Sequence, residues 1–176
     1  MKEFLIVVAI IAVVVGWVWL RMKISRGINR GVSKVLYKNT NARGLDEVWT
    51  ELKFTAPGTP QEVQVALVSA LALPTEVPPV IGKLYLAAQS AGGIVVRRGS
   101  KIGTEWTGQA TFTPAAAGGT SGVWTVTHWT LHDGVIQSDG IIKDMAGMRQ
   151  RIEAAVTRIG GTCTTRVLPE LERVKR

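Results

Sequence analysis

Two histidines, one cysteine and a set of tryptophans are the side chains of this 176-residue chain with the widest chemical reach. His128 and His132 stand four apart, and on a helix that spacing lets two imidazoles share a metal. The surrounding Trp124–Gly134 stretch alternates and ends in Asp-Gly, which is strand-and-turn sequence. On a strand the two rings share a face but lie about 13 Å apart, at about 3.3 Å per residue. Two bonds of about 2 Å to one zinc cannot span that gap. No metal site and no cofactor is expected. An enzymatic alternative remains, a cyclase- or hydrolase-like reaction using His128 or Asp133, and it requires those side chains to point into a cleft.

Cys163 is the only cysteine, so no intramolecular disulfide can form, and its Gly- and Thr-rich surroundings carry no nucleophile signature. The glycines at 92–93 and 118–122 lack the lysine and helix start of a phosphate-binding loop. Arg97, Arg98 and Lys101 form a basic turn, read as a solvated hairpin tip in preference to a contact with phosphate or lipid headgroups. Six tryptophans remain to be placed. Trp17 and Trp19 belong to an apolar run, which leaves Trp49, Trp106, Trp124 and Trp129. Trp106, Phe112, Trp124 and His128 make the candidate ligand-lining set. Core packing is the competing explanation for aromatics at strand spacing.

The elements that must position these residues begin with an anchor. Phe4 to Leu20 is seventeen residues without a charge, about 26 Å long as a helix and at the short end for a bilayer core. Lys2, Arg21 and Lys23 can snorkel to cover the deficit, and the two tryptophans suit the headgroup level. The run ends in Trp-Val-Trp-Leu-Arg-Met-Lys, which offers no small-residue cleavage site, so an uncleaved transmembrane helix over residues 1–20 is expected. One lysine precedes the run and five basic residues follow it closely. The positive-inside rule then predicts a single-pass protein of the cell membrane with its domain in the cytoplasm.

The formal charge of +8 is concentrated beside that anchor. Arg21, Lys23, Arg26, Arg30, Lys34, Lys38 and Arg43 come without an acid in residues 21–43, whereas residues 44–176 are nearly neutral. A basic segment next to an apolar run points to anionic lipid, and nucleic acid is not an expected partner. On a helix, Ile24, Ile28, Val32, Val35 and Leu36 gather on one face, while Lys23, Arg26, Arg30, Lys34 and Lys38 gather on the other. This predicts an interfacial helix, ended by Asn39-Thr40-Asn41 and Gly44, with the six cations from Arg21 to Lys38 as the membrane-surface set.

Beyond residue 44 the pattern is that of an α+β domain. Val48–Thr55 alternates as a strand. Thr59-Pro60-Gln61-Glu62 is a capping box with proline at the first helical position, followed by Val63, Leu67, Val68 and Leu71 at helical spacing. Lys83–Gln89 and Ile94–Arg98 read as a hairpin. Glu105–Thr113 alternates, with Trp106, Gly108, Ala110 and Phe112 on one side. Val123–His132 is a strand whose inner face is ambiguous, because Trp124 and Val126 compete with Trp129 and Leu131. Val135–Ile142 is expected to return as its partner. Asp144–Ile159 is a helix with Met145, Met148, Ile152, Val156 and Ile159 along one stripe. Gly160-Gly161 ends it, and residues 161–176 are read as a polar tail.

This order, with VWTELKFTAPGTPQEVQVALVSAL as an opening strand-to-helix unit and DMAGMRQRIEAAVTRI as a closing helix, resembles the helix-grip superfamily of START-related and polyketide-cyclase-like domains. The resemblance covers residues 46–160 and rests on element order. It matches no catalytic motif of that superfamily. It implies a curved antiparallel sheet packed with two helices, and a space between them for an apolar molecule or lipid. The closing helix is short for that superfamily, and five later strands are counted where six are usual, which argues against a large pocket. The expected function is a membrane-tethered binding or interaction module, with membrane lipid and either an apolar small molecule or a protein as partners.

Overall fold

The computed structural model describes residues 36–90, 92–116, 118–132 and 135–169. The apolar run expected to span a membrane, most of the basic segment, the expected turn at Asp133-Gly134 and the last seven positions lie outside the described residues. Among the described residues no helix is long and apolar enough to cross a membrane. The described chain divides into two compact units.

Of the smaller unit, residues 36–41, 131–132 and 135–137 are described. His132 and Val135 form a single antiparallel bridge across the predicted turn. The Asn41 side chain accepts a hydrogen bond from the Ile136 N–H at 2.9 Å, and the Gln137 amide donates to the His132 carbonyl at 3.1 Å.

The larger unit is α+β, with six antiparallel strands and three helices. These are α1 (Lys38–Val48, which begins in the smaller unit), β1 (Thr50–Ala56), α2 (Pro60–Leu71), β2 (Lys83–Ser90), β3 (Gly93–Gly99), β4 (Thr104–Pro114), β5 (Thr120–Trp129), α3 (Asp139–Arg158) and β6 (Thr162–Val167). Spatial order in the sheet is β2-β3-β4-β5-β1-β6. Strands β2 to β5 form a meander, and β1 is inserted between β5 and β6.

The helix starts follow from local chemistry. The Thr59 N–H donates to the Glu62 carboxylate at 2.8 Å and the Glu62 N–H donates to the Thr59 hydroxyl, so the predicted capping box is present. At its other end the helix stops on Ala72, held in the left-handed conformation at φ 46°. The Arg151 guanidinium donates to the Leu71 carbonyl there, placing a cation where the helix dipole favours one. Helix α3 is capped by the Ser138 hydroxyl, which accepts from the Ile141 N–H.

Helices α2 and α3 pack against each other on one face of the sheet. Leu52, Phe54, Ile94, Val96, Trp106, Ala110, Phe112, Trp124 and Val126 meet Val63, Leu67, Leu71, Met145, Met148, Ile152 and Val156, all of them buried. Each such aliphatic side chain contributes about 1.5–3 kcal/mol by leaving water. Ion pairs fix the helices laterally. Arg149 forks onto Glu47 with contacts of 3.0 and 3.1 Å, and Arg43 reaches Asp139 at 2.9 Å, so the second half of α1 is tied to α3.

Four expectations are corrected. Asn39-Thr40-Asn41 and Gly44, expected to end a helix, lie inside α1, which spans Lys38–Val48 with Gly44 and Val48 buried. Val135–Ile142 is not a returning strand. Ser138-Asp139 is a helix start, and Ile141 is a buried residue of the first turn of α3. Residues 162–167, read as tail, form a strand that pairs with β1 throughout. Arg98 is not a solvated hairpin residue. It points to the helix side, donating to Asp144 at 2.5 Å and to Glu105, and ties α3 to β3 and β4.

Candidate functional site

The structure divides the candidate ligand-lining set. Trp106 is 0% exposed, Trp124 1% and Phe112 4%, so all three are core. Their packing is specific. Trp106 and Trp124 meet edge to face with ring centroids 6.5 Å apart, and Phe54 and Phe112 do so at 6.0 Å. Two glycines make room for these rings. A Cβ on Gly108 would stand 2.3 Å from the Trp124 ring, and one on Gly122 would stand 2.2 Å from the Phe54 ring. The aromatic rings lie flat across bare backbone where a side chain would otherwise fill the sheet face. His128 is separated from these three and is exposed.

A bulge causes that separation. Strands β4 and β5 pair Thr107 with His128 but Gly108 with Val126, so Thr127 is the extra residue. It also resolves the ambiguous face of β5. Gly122, Trp124 and Val126 face the helices. Past the bulge the alternation resets, and Trp129 lies opposite Trp106 in register.

Trp129 is half-buried and meets Trp49, the residue between α1 and β1, edge to face at 5.3 Å. These two indoles, with Val126, Thr127 and His128, line an open recess of about 420 Å³. The volume is within the range of small-molecule sites, and the walls are mainly apolar with one imidazole and one hydroxyl. Among the described residues, no hydrogen bond or ion pair engages the His128 side chain. Trp49 and Trp129 were not in the ligand-lining set read from the sequence. The available signal was the failure of one alternation to fit both ends of the 123–132 segment.

Other recesses are of similar size but different chemistry. One of about 450 Å³ lies between α2 and the end of β2, lined by Gln61, Gln64, Val65, Gln89 and Ser90. Another, of about 380 Å³, is made of loop backbone at Pro57-Gly58, Gly118-Gly119 and Gly160. Neither offers an aromatic surface.

The enzymatic alternative gains no partner for His128 among the described residues, and Asp133 lies outside them. Among the described residues no three His, Cys, Asp or Glu side chains are grouped to hold a metal. The Cys163 thiol is pushed up from its ordinary value by burial and by the Glu153 charge, which leaves it a weak nucleophile at neutral pH. Lys38 is the one member of the membrane-surface set inside the described residues, at the start of α1. In sequence, the chain matches no protein-family model and none of the curated proteins.

Proposed function

We propose that this chain is a membrane-tethered binding module that receives a small apolar or aromatic group in the Trp49–Trp129 recess. The observation that carries this reading is the half-buried indole pair at the wall of an open recess about 420 Å³ in volume, at the border of the packed core. Indoles give large contact area at low entropic cost, and Val126 extends the apolar wall. The His128 ring at the rim supplies one polar group to orient a ligand.

Tethering rests on the uncharged Phe4–Leu20 run. The cations Arg21, Lys23, Arg26, Arg30, Lys34 and Lys38 contribute on the order of 1 kcal/mol each against anionic lipid and favour a cytoplasmic domain. A helix-grip relationship is compatible with a long helix packed on an antiparallel sheet. The proposed site nevertheless lies at a sheet end and not between sheet and helix.

The test uses the full chain in lipid nanodiscs, labelled with 5-fluorotryptophan and titrated with indole as the probe. Fluorine resonances of Trp49 and Trp129 should shift saturably, while those of Trp106 and Trp124 stay fixed. Trp49→Ala should abolish the shift at Trp129. Saturable shifts at none of the four domain tryptophans would defeat the binding reading. Release of the chain from membranes by alkaline carbonate would defeat the tether independently.

A further inference from the structure

The two edges of the sheet are treated differently. Strand β2 is blunted: its ladder with β3 is broken by a bulge between Leu86 and Ala88, and the Leu86 N–H is already taken by the Pro74 carbonyl at 2.8 Å. Natural sheets protect edges in these ways against pairing with other chains. Strand β6 has neither device. It pairs with β1 at six consecutive positions with no register shift, contains no proline or lysine, and is largely exposed. Among the described residues nothing pairs with its outer edge.

The backbone groups left on that edge can be assigned. The Leu168 N–H donates to the Trp49 carbonyl at 2.9 Å, so that pair is a hydrogen-bonded one. Antiparallel ladders alternate, which gives Arg166, Thr164 and Thr162 to β1 and turns the N–H and C=O of Cys163, Thr165 and Val167 outward. Val167, half exposed at 50%, stands at one end of this row.

We propose that β6 pairs antiparallel with β6 of a second copy, joining two sheets across a two-fold axis at Thr165. In this register Cys163 faces Val167 of the second copy and Thr165 faces Thr165 of the second copy. All three outward residues on each strand then exchange both backbone bonds, six in total. A shift by two residues leaves some of these groups without a partner.

The side chains agree with that register. Arg166, the only charged residue of β6, falls opposite Thr164 of the second copy, so no like charges stand directly opposite each other. Its guanidinium is bonded to Glu51 at 3.0 Å within its own sheet. The exposed Val167 gains an apolar neighbour in Cys163. Such a contact is isologous and closes at two copies. Confinement to a membrane would favour it by raising the local concentration.

The experiment uses the full chain with a single substitution, Val167→Cys, oxidised by diamide and run on a non-reducing gel. Within one strand positions 163 and 167 are about 13 Å apart, so no internal disulfide forms. In the proposed register each new thiol lies opposite Cys163 of the second copy, and a disulfide-linked dimer is expected. The unsubstituted chain should give none, because its two Cys163 residues are four register positions apart. Thr164→Cys, with side chains on the other face, should also give little. Thr165→Lys placed in the Val167→Cys chain sets two lysines opposite each other and should cut the dimer yield about tenfold. Circular dichroism and the thermal midpoint of that variant report whether it remains folded. A monomeric Val167→Cys chain, or a dimer band equally strong with Thr164→Cys or unaffected by Thr165→Lys, would overturn the pairing.

Discussion

Gly122→Ala is the most direct probe of how this core is built. The new methyl would stand 2.2 and 2.4 Å from two atoms of the Phe54 ring and 2.8 Å from the Thr111 carbonyl oxygen. The ring cannot swing away freely, because Phe54 is 2% exposed and lies edge to face on Phe112. The carbonyl belongs to a paired strand and cannot retreat without breaking the β4–β5 ladder. Overpacking of this kind costs about 1–3 kcal/mol, and two obstacles put this case near the upper value. Replacing a strand glycine returns about 0.5–1 kcal/mol of backbone entropy. The net expectation is a loss of about 2 kcal/mol. Urea denaturation followed by tryptophan fluorescence would measure it, with Gly92→Ala as the control, since a Cβ at Gly92 meets nothing within 4 Å. Adding Phe54→Leu should make the double variant less unstable than the two single losses predict. If Gly122→Ala and Gly92→Ala unfold within about 0.5 kcal/mol of each other, the ring does not lie across the glycine and the packing argument fails.

Three other outcomes are expected. Ala72→Gly should stabilise the chain by roughly 0.5–1 kcal/mol, read as a higher urea midpoint, because Ala72 holds a left-handed φ that glycine adopts without strain. Gln64→Met should be neutral or stabilising by about 1 kcal/mol in the same assay, since the buried Gln64 Oε1 has no hydrogen-bond partner among the described residues. A clear loss would show that the amide is satisfied in solution. Glu62 is held below the usual carboxylate value by hydrogen bonds from the Thr59 backbone and side chain. Its contribution is therefore complete above the unfolded-state value and fades as pH falls through the lower folded value. Glu62→Ala should flatten the acid limb of the stability profile, and an unchanged limb would argue against the capping box.

The parts of this fold legible in the sequence are those with a strictly local cause. Thr59, Pro60 and Glu62 announce α2 because a capping box is completed within four residues. Strand β4 is legible because Trp106, Gly108, Ala110 and Phe112 keep an unbroken period of two. One misreading is local: Ile141-Ile142 looks like a strand returning from the Asp-Gly turn signal, although Ser138, three residues before Ile141, caps a helix. Where a distant partner decides, the sequence misleads. Thr162–Val167 looks like tail because an edge strand over a partly covered face needs no apolar alternation. The recess at Trp49 and Trp129 depends on a bulge at Thr127, and a bulge is a property of two strands read together.

The position of β1 has a kinetic consequence. The meander from β2 to β5 joins strands that are neighbours in sequence, and its loops close cheaply. Strand β1 has no such neighbour: Leu52 is opposite Trp124, 72 positions later, and opposite Thr165, 113 positions later. Contacts of that range form slowly. A half-built sheet would therefore exist with the inner edge of β5 open, waiting for β1, and β6 has no place until β1 arrives. The first strand of the domain is thus seated after the four that follow it in the chain, with only β6 still to come.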